Sequence, residues 1–224
     1  AVAAGDAFSV LCRAHPEQVL RLTTNIRQRT EDGQAIAKAL HAGDVATAWA
    51  RLGDTGAVLV ARNREHKLTL LAGLVTDQIT LHGPNAVTCD AVTNAEVDEL
   101  NERIHERLVE RAVIDPATVR AYRTPSGDLR LGEGTELRLT RPLAMHRGET
   151  KLARGERAVV VEAGRERIRV RTADGTEHSI TPRTLLAHAG YGYVGTTHKV
   201  QGQTSEVHIA SIDPRKDRQS LYVT

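Results

Sequence analysis

Residues 1–110 show helical periodicity that is interrupted by short apolar runs. Within 64–79 and again within 95–110, apolar side chains recur every three or four positions, so both segments predict amphipathic helices. The two stripes consist of Leu68, Leu71, Val75 and Ile79, and of Val97, Leu100, Ile104 and Leu108. Shorter helices are predicted over 7–15, 34–41 and 45–52, and strands over 19–22, 58–61 and 86–92. Helices that alternate with strands favour a parallel α/β layer.

The pattern changes near residue 123. Turn-forming residues fill 124–128, and short segments with alternating side chains then replace the helical spacing. Strands are predicted over 136–140, 157–162, 167–171 and 178–180, with a further strand over 206–211. Short strands separated by glycine-containing turns are typical of a small antiparallel barrel. We therefore expect a compact β insert that interrupts an α/β domain.

Composition narrows the class of protein. Hydrophobic residues make up 40% of the chain and charged residues 26%, which excludes a disordered tail. No run of about 18 apolar residues is present, so we expect no membrane partner. Cys12 and Cys89 make neither a disulfide scaffold nor a zinc site, so we expect a cytoplasmic protein without a metal. Aromatic residues, at 3%, argue against a platform that stacks bases.

One polar segment, residues 190–204, has the chemistry of a polyanion site. Thr196 and Thr197 offer hydroxyl groups, His198 and Lys199 offer donors, and Gly202 permits close backbone approach. The alternative is a strand-to-helix turn with polar caps, since these residue types are common in turns.

The same segment resembles a helicase motif. Thr-x-His-Lys-x-Gln-Gly over 196–202 resembles motif V of superfamily 1 DNA helicases, and is most similar to the RecD-like branch and the helicase half of conjugative relaxase-helicases. Residues 25–28 resemble motif IV, 93–101 resemble the strand-helix unit after it, and 221–224 resemble the opening of motif VI. The resemblance implies that the chain starts after motif III, without an initiator Met, and stops inside motif VI.

The resemblance also implies a fold. It is a RecA-like parallel-sheet domain, the second motor domain of a helicase, interrupted by a small SH3-like β-barrel insert. The expected boundaries are 1–123 for the first part of the RecA-like domain, 124–186 for the insert and 187–224 for the second part.

Four residues are assigned to the ATP side by this resemblance. Arg27 would reach the γ-phosphate, because phosphoryl transfer needs positive charge at the phosphate oxygens. Gln201 and Gly202 would couple the DNA contact to the nucleotide, and Gln28 would either support Arg27 or cap a helix. Ile26 departs from the motif, where an aromatic residue is common.

The DNA side is assigned in the same way. Thr196, Thr197 and His198 would contact the backbone of single-stranded DNA, and Lys199 faces either phosphate or solvent. Thr204 stands where some relatives carry an acidic residue that meets the ribose.

The sequence contains no phosphate-cradling G-x-x-x-x-G-K-[ST] motif and no acidic pair after an apolar strand. ATP and Mg²⁺ are therefore expected to be bound mainly by a missing first motor domain, with no cofactor held tightly here. We expect the segment alone to bind DNA weakly and not to hydrolyse ATP. The implied whole enzyme would move 5′→3′ on single-stranded DNA in conjugative transfer, with relaxosome or conjugation proteins as further partners.

The predicted insert is basic, although the whole chain carries a formal charge of only +2. Residues 138–171 contain ten basic and four acidic residues. Arg167, Arg169 and Arg171 alternate with Ile168 and Val170, so a strand would place the arginines on one face and the apolar residues in the core. Such a face suits a phosphate backbone, and the alternative is an ordinary solvated surface.

Two other functions stay open at this point. One is a non-catalytic module that only binds single-stranded DNA, and the other is part of a RecD-type repair helicase. A phosphate-cradling motif in the preceding sequence would distinguish a motor from a binding module.

Overall fold

The computed structural model describes residues 7–19, 28, 30–124, 127–144, 151–200, 203 and 205–212. The chain divides into two units, with the boundary between Val60 and Ala61. Three predicted features lie outside the described residues: the motif IV core with Arg27, the strand over 20–22 and the motif VI-like segment. Gln201, Gly202 and Thr204 lie outside them as well.

The described residues of the first unit form the α-helices α1 (Ala7–Ala14), α2 (Glu31–Ala42) and α3 (Val45–Asp54). Thr30 caps α2 by accepting the Gly33 N–H at 3.1 Å, and Gly43 ends it with a φ of 85°. These helices confirm the predicted ones. The strand predicted over 58–61 is wrong: this segment forms no sheet pairing, and Val60 is 82% exposed.

A parallel sheet forms the centre of the second unit. Its three strands are β1 (Val87–Ala91), β11 (Val194–Thr196) and β12 (Val207–Ala210), with β1 in the middle. Cys89 is paired with Val194 on one side and with Ile209 on the other. All five residues of β1 are buried, as is typical of a central parallel strand.

Helices α4 (Arg64–His82) and α5 (Asn94–Glu110) pack on this sheet. Both predicted apolar stripes are buried in the core that the helices share with β1. Asn63 caps α4, and Thr93 caps α5 by accepting the Glu96 N–H at 3.2 Å. The predicted parallel α/β layer is therefore confirmed for these elements.

Antiparallel strands occupy the chain between α5 and β11. The largest sheet has the order β10-β4-β7-β8-β9. Its strands are β4 (Glu136–Leu139), β7 (Arg157–Ala163), β8 (Ile168–Thr172), β9 (Glu177–Ile180) and β10 (Ala189–Tyr191). Around it lie the hairpin of β2 (Arg120–Thr124) and β3 (Gly127–Leu131), the short pair β5 (Leu143–Ala144) and β6 (Lys151–Leu152), and helix α6 (Pro182–Leu186).

The predicted antiparallel region is confirmed, but its closed barrel is not. Among the described residues the edge strands β9 and β10 do not pair with each other, so the five-stranded sheet is open. Ile168 and Val170 are buried and the intervening arginines are exposed, as the alternation in β8 predicts. The hairpin β2–β3 and strand β10 were not predicted, because each is short and lacks a long periodic pattern.

Three stacked rings lie at the edge of the parallel-sheet core. His105 of α5 stacks on Tyr191 at a centroid distance of 4.6 Å, and its Nδ1 is 3.2 Å from the Tyr193 hydroxyl oxygen. Tyr191 packs against the antiparallel core as well. Burial lowers the pKa of His105 to about 4, so the ring is neutral at physiological pH.

No helix in the part of the chain that the structure describes is both long enough and apolar enough to span a membrane.

Candidate nucleic-acid interface

The carboxyl ends of the parallel strands bring the motif V-like residues together with the start of α5. Strand β1 ends at Ala91 and is followed by α5, while β11 ends at Thr196 and is followed by α7 (Thr197–Val200). Ala91 and Thr196 are paired in register, so both connections leave the sheet at one edge. Ligands of open parallel sheets bind at this edge.

Thr197 is anchored below the edge by a buried carboxylate. Its hydroxyl donates to Asp90 Oδ2 at 2.5 Å, and the Asp90 side chain is fully buried. His208 Nε2 on β12 is 3.4 Å from the other carboxylate oxygen, Oδ1. Thr197 was predicted to contact DNA; in the structure its hydroxyl group donates its hydrogen bond to the Asp90 carboxylate. Sequence reasoning missed Asp90, because this residue lies inside a short and otherwise apolar strand.

A second set of hydrogen bonds extends this network along the sheet. The Thr88 hydroxyl is 2.8 Å from His208 Nδ1 and 2.8 Å from the Ser205 hydroxyl. Polar side chains therefore connect β1 to β12 and to Ser205, which lies two residues before β12. These hydrogen bonds stabilise the two parallel strands, β1 and β12, that lie beneath the motif V-like segment.

His198 and Lys199 are the exposed basic residues of this segment. Lys199 Nζ donates to Asn94 Oδ1 at 3.3 Å, which places the ammonium beside the first residue of α5. The His198 side chain makes no hydrogen bond within the described ranges, and Thr196 is half-buried. Of the four predicted DNA-contacting residues here, His198 and Lys199 therefore present donors to solvent.

Arg138 joins the antiparallel sheet to the motif V-like segment. From β4 its guanidinium donates to the Lys199 carbonyl and the Gly192 carbonyl, both at 3.2 Å. A third contact reaches Gln203 Oε1 at 3.5 Å. Burial lowers the pKa of Arg138 to about 10, which leaves it charged at neutral pH. A Cβ on Gly195 would lie only 3.2 Å from the guanidinium, so glycine leaves room for this contact.

Arg157 makes a second internal connection. It forms an ion pair with the fully buried Glu136, and its Nη2 donates to the carbonyls of Pro84 and Val87 at 2.6 and 2.9 Å. Burial raises the pKa of Glu136, and the guanidinium of Arg157 opposes that rise. Two of the ten basic residues that made the insert appear basic are thus structural.

Three exposed arginines lie in β8 or directly before it, and we call Arg167, Arg169 and Arg171 the β8 face. Nearby carboxylates offset most of their positive charge. Arg169 lies 3.1 Å from Glu162 and 3.8 Å from Glu177, and Arg171 donates to Glu177 at 2.7 Å. Arg167 donates to the Ser179 carbonyl at 2.9 Å. The hydrogen bond from Arg171 lowers the pKa of Glu177, so this carboxylate is charged at neutral pH. Arg169 and Arg171 therefore have carboxylate partners, whereas Arg167 has a main-chain carbonyl as its partner.

Gln28 is the one predicted ATP-side residue within the described ranges. Its carbonyl accepts a hydrogen bond from the Gln34 side chain at 3.1 Å, close to the start of α2. Thr30, two residues further on, is the N-cap of α2, and the role of Gln28 stays a prediction. No group of three or more metal-ligating side chains is found among the described residues.

Known proteins were compared with the chain at three levels. No protein-family model matches it, and no curated protein matches it. Its fold is similar to a crystal structure of Bacteroides Pif1 bound to single-stranded DNA, with a TM-score of 0.57 and 14% identity over 91% of this chain and 48% of that one. The fold is also similar to that of the Pif1 helicase from Bacteroides in complex with ADP-AlF3 and single-stranded DNA. This comparison has a TM-score of 0.54 and 16% identity, and it covers 91% of this chain and 48% of that one.

A third similar structure is that of two coordinating Pif1 helicases that unwind forked double-stranded DNA. Its TM-score is 0.54 at 15% identity, and the comparison covers 89% of this chain and 45% of that one. The fold of this chain is similar to part of each of these Pif1 helicase structures. The chain spans slightly less than half the length of these three structures. The expected similarity of fold to a helicase is therefore found with these Pif1 structures, whereas membership of superfamily 1 and of its RecD-like or relaxase-helicase branch stays a prediction.

Proposed function

We propose that this chain is the single-stranded DNA-binding second motor domain of an ATP-dependent superfamily 1 helicase. The observation that supports this most is the position of His198 and Lys199. Both are exposed at the carboxyl edge of the parallel sheet, on a short helix that Asp90 and Arg138 anchor from below. A rigid base beneath exposed donors suits a strand of phosphates. The Pif1 structures with a similar fold include complexes with single-stranded DNA.

The proposal includes the domain organisation given above. The RecA-like domain consists of 1–123 and 187–224, and an SH3-like insert of 124–186 separates them. Support comes from the order of the strands: the antiparallel elements lie in the chain between β1 and β11, which are neighbours in the parallel sheet.

ATP and Mg²⁺ belong to the whole enzyme in this proposal. Arg27 contacts the γ-phosphate, and Gln28, Gln201 and Gly202 lie on the nucleotide side. The preceding motor domain of the same protein supplies the phosphate cradle and the metal ligands. We further propose 5′→3′ movement in conjugative DNA transfer in the cytoplasm, together with relaxosome proteins, on the basis of the motif V-like sequence.

Binding of a fluorescein-labelled oligothymidine, followed by anisotropy, tests the DNA-binding part. Lys199→Ala should weaken binding about fivefold at 100 mM salt and lower the salt slope by about 0.7, the value for one lost phosphate contact on a single strand. Lys38→Ala, which removes an exposed lysine of α2, is the matched control and should leave both unchanged. If the chain does not bind the oligonucleotide, this part of the proposal is wrong.

DNA-stimulated ATP hydrolysis by the full-length protein tests the motor part. Arg27→Ala should lower kcat by about 10³-fold or more, the range for an arginine that stabilises phosphoryl transfer. Arg29→Ala is the matched neighbouring control. A full-length protein that binds DNA without hydrolysing ATP would instead be the non-catalytic binding module. Full activity in Arg27→Ala would contradict the role given to Arg27.

A further inference from the structure

Two adjoining surface cavities open beside the β2–β3 hairpin. They have volumes of about 370 and 450 Å³ and share Ala121 and Tyr122 of β2 in their walls. Arginines dominate the polar part of both walls, and no acidic residue lines either cavity among the described residues.

The arginines around the cavities differ from those of the β8 face. Arg120 and Arg165 line the smaller cavity and Arg183 the larger; we call these three residues the arginine cluster. All three are exposed, and none forms an ion pair or a side-chain hydrogen bond within the described part of the chain. Arg123 lies beside the cluster, and its only described carboxylate contact is Asp128 at 3.7 Å. The cluster thus holds positive charge that no described carboxylate offsets.

The cluster stands on rigid parts of the fold. The buried Tyr122 donates its hydroxyl to the Gly164 carbonyl at 3.0 Å, which holds the β7–β8 turn, and with it Arg165, against β2. A Cβ on Gly164 would lie 2.4 Å from the Arg167 carbonyl oxygen, so this turn requires glycine. Burial raises the pKa of Tyr122, and the nearby charge of Arg120 opposes that rise. Arg183 lies in the first turn of α6, which Thr181 caps.

We propose that the arginine cluster is a second binding surface for the phosphate backbone of single-stranded DNA. Guanidinium groups bind phosphate oxygens through paired N–H donors, and exposed arginines without carboxylate partners can do so without first breaking an ion pair. Pro182 and Leu186 give the larger cavity an apolar wall, against which the sugar or base of the bound nucleotide packs. This inference rests on the proposed function, because it assumes that single-stranded DNA is the ligand.

Anisotropy titrations of the 224-residue chain with oligothymidine at 50, 100 and 200 mM salt test the inference. The site variant is Arg120→Gln/Arg165→Gln/Arg183→Gln, and the matched control is Arg167→Gln/Arg169→Gln/Arg171→Gln. Both remove three positive charges from exposed positions of the same region, so a general charge effect acts on both equally. Thermal melting of each variant checks that it remains folded.

The site variant should bind at least tenfold more weakly at 100 mM salt, and its salt slope should fall by about 2, as expected for three lost phosphate contacts. The control should lose less than threefold. Equal losses in both variants, or a larger loss in the control, would overturn the inference while leaving the proposed function intact. Absence of oligothymidine binding by the unaltered chain would overturn both.

Discussion

The arginine cluster and the β8 face each contain three exposed arginines, but different groups surround them. At the β8 face, Glu162 and Glu177 come from the neighbouring strands and lie within 3.8 Å of Arg169 or Arg171. Arg120, Arg165 and Arg183 themselves form no ion pair among the described residues, although the neighbouring Arg123 lies 3.7 Å from Asp128. Positive charge counted along a sequence is therefore different from charge that is available to a ligand.

Arg138 and Arg157 extend the comparison to the interior. Both come from the same basic stretch, yet they donate to main-chain carbonyls of the parallel-sheet region. Arg157 donates to carbonyls at the amino end of β1, whereas Arg138 donates to carbonyls on either side of β11. Arg138 is therefore the arginine that joins the antiparallel sheet to the motif V-like segment. Their role is structural, although they add to the formal charge in the same way as exposed arginines.

The largest expected effect comes from breaking the buried ion pair. Arg157→Met leaves the Glu136 carboxylate buried without its partner and leaves two carbonyls without a donor. We expect the free energy of unfolding to fall by about 3–5 kcal/mol, measured by urea denaturation. The double variant Glu136→Met/Arg157→Met removes both charges and should recover part of the loss. An Arg157→Met protein as stable as the unaltered chain would show that the pair is not buried.

Replacing the other internal arginine should affect stability less and DNA binding more. Arg138→Met removes the donor to the Gly192 and Lys199 carbonyls, so we expect a loss of about 2–3 kcal/mol. Because Lys199 belongs to the motif V-like segment, oligothymidine binding should also weaken about tenfold. Arg157→Met, assayed under conditions where it is folded, is the control for binding. Unchanged affinity in Arg138→Met would contradict the connection between β4 and α7.

Acid pH should act through a buried group that, unlike the arginines, is neutral. The pKa of His105 is about 4 in the folded chain and near 6.5 in the unfolded chain. Because the unfolded chain binds the proton more readily, the free energy of unfolding is highest above pH 6.5 and decreases as the pH falls towards 4. Between pH 7.5 and 5.0 this costs about 2 kcal/mol of the free energy of unfolding. His105→Gln should be less sensitive to pH over this range in chemical denaturation. An equal pH dependence in both proteins would show that His105 is not responsible.

The smallest effect should follow from exposing the β8 face. Glu162→Gln/Glu177→Gln removes the carboxylates that neutralise Arg169 and Arg171, so oligothymidine affinity should rise about two- to fivefold at 50 mM salt. The control Glu31→Gln/Glu110→Gln changes two exposed helical carboxylates and should raise it less. If both double variants gain equally, the specific neutralisation of the β8 face is unsupported.

Local patterns explain which parts of the structure could be predicted. The stripes of α4 and α5 and the alternation in β8 depend on sequence spacing alone, and all of them are found in the structure. Residues 58–61 have strand-like composition, but a strand also needs a neighbour to pair with. The partners of Arg138, Arg157 and Arg169, and the contact between Asp90 and Thr197, depend on residues distant in sequence or on adjacent strands, so no local pattern could reveal them.

The central claim is that basic groups without a carboxylate partner at the motif V-like segment and in the arginine cluster, rather than Arg169 and Arg171 of the β8 face, contact single-stranded DNA. Photo-crosslinking of a 4-thiothymidine oligonucleotide to the 224-residue chain, followed by mass spectrometry of the cross-linked peptides, tests it most directly. We predict cross-links in the peptide that contains His198 and Lys199 and in peptides around Arg120 and Arg183. Cross-links confined to the peptide of Arg169 and Arg171 would contradict the claim.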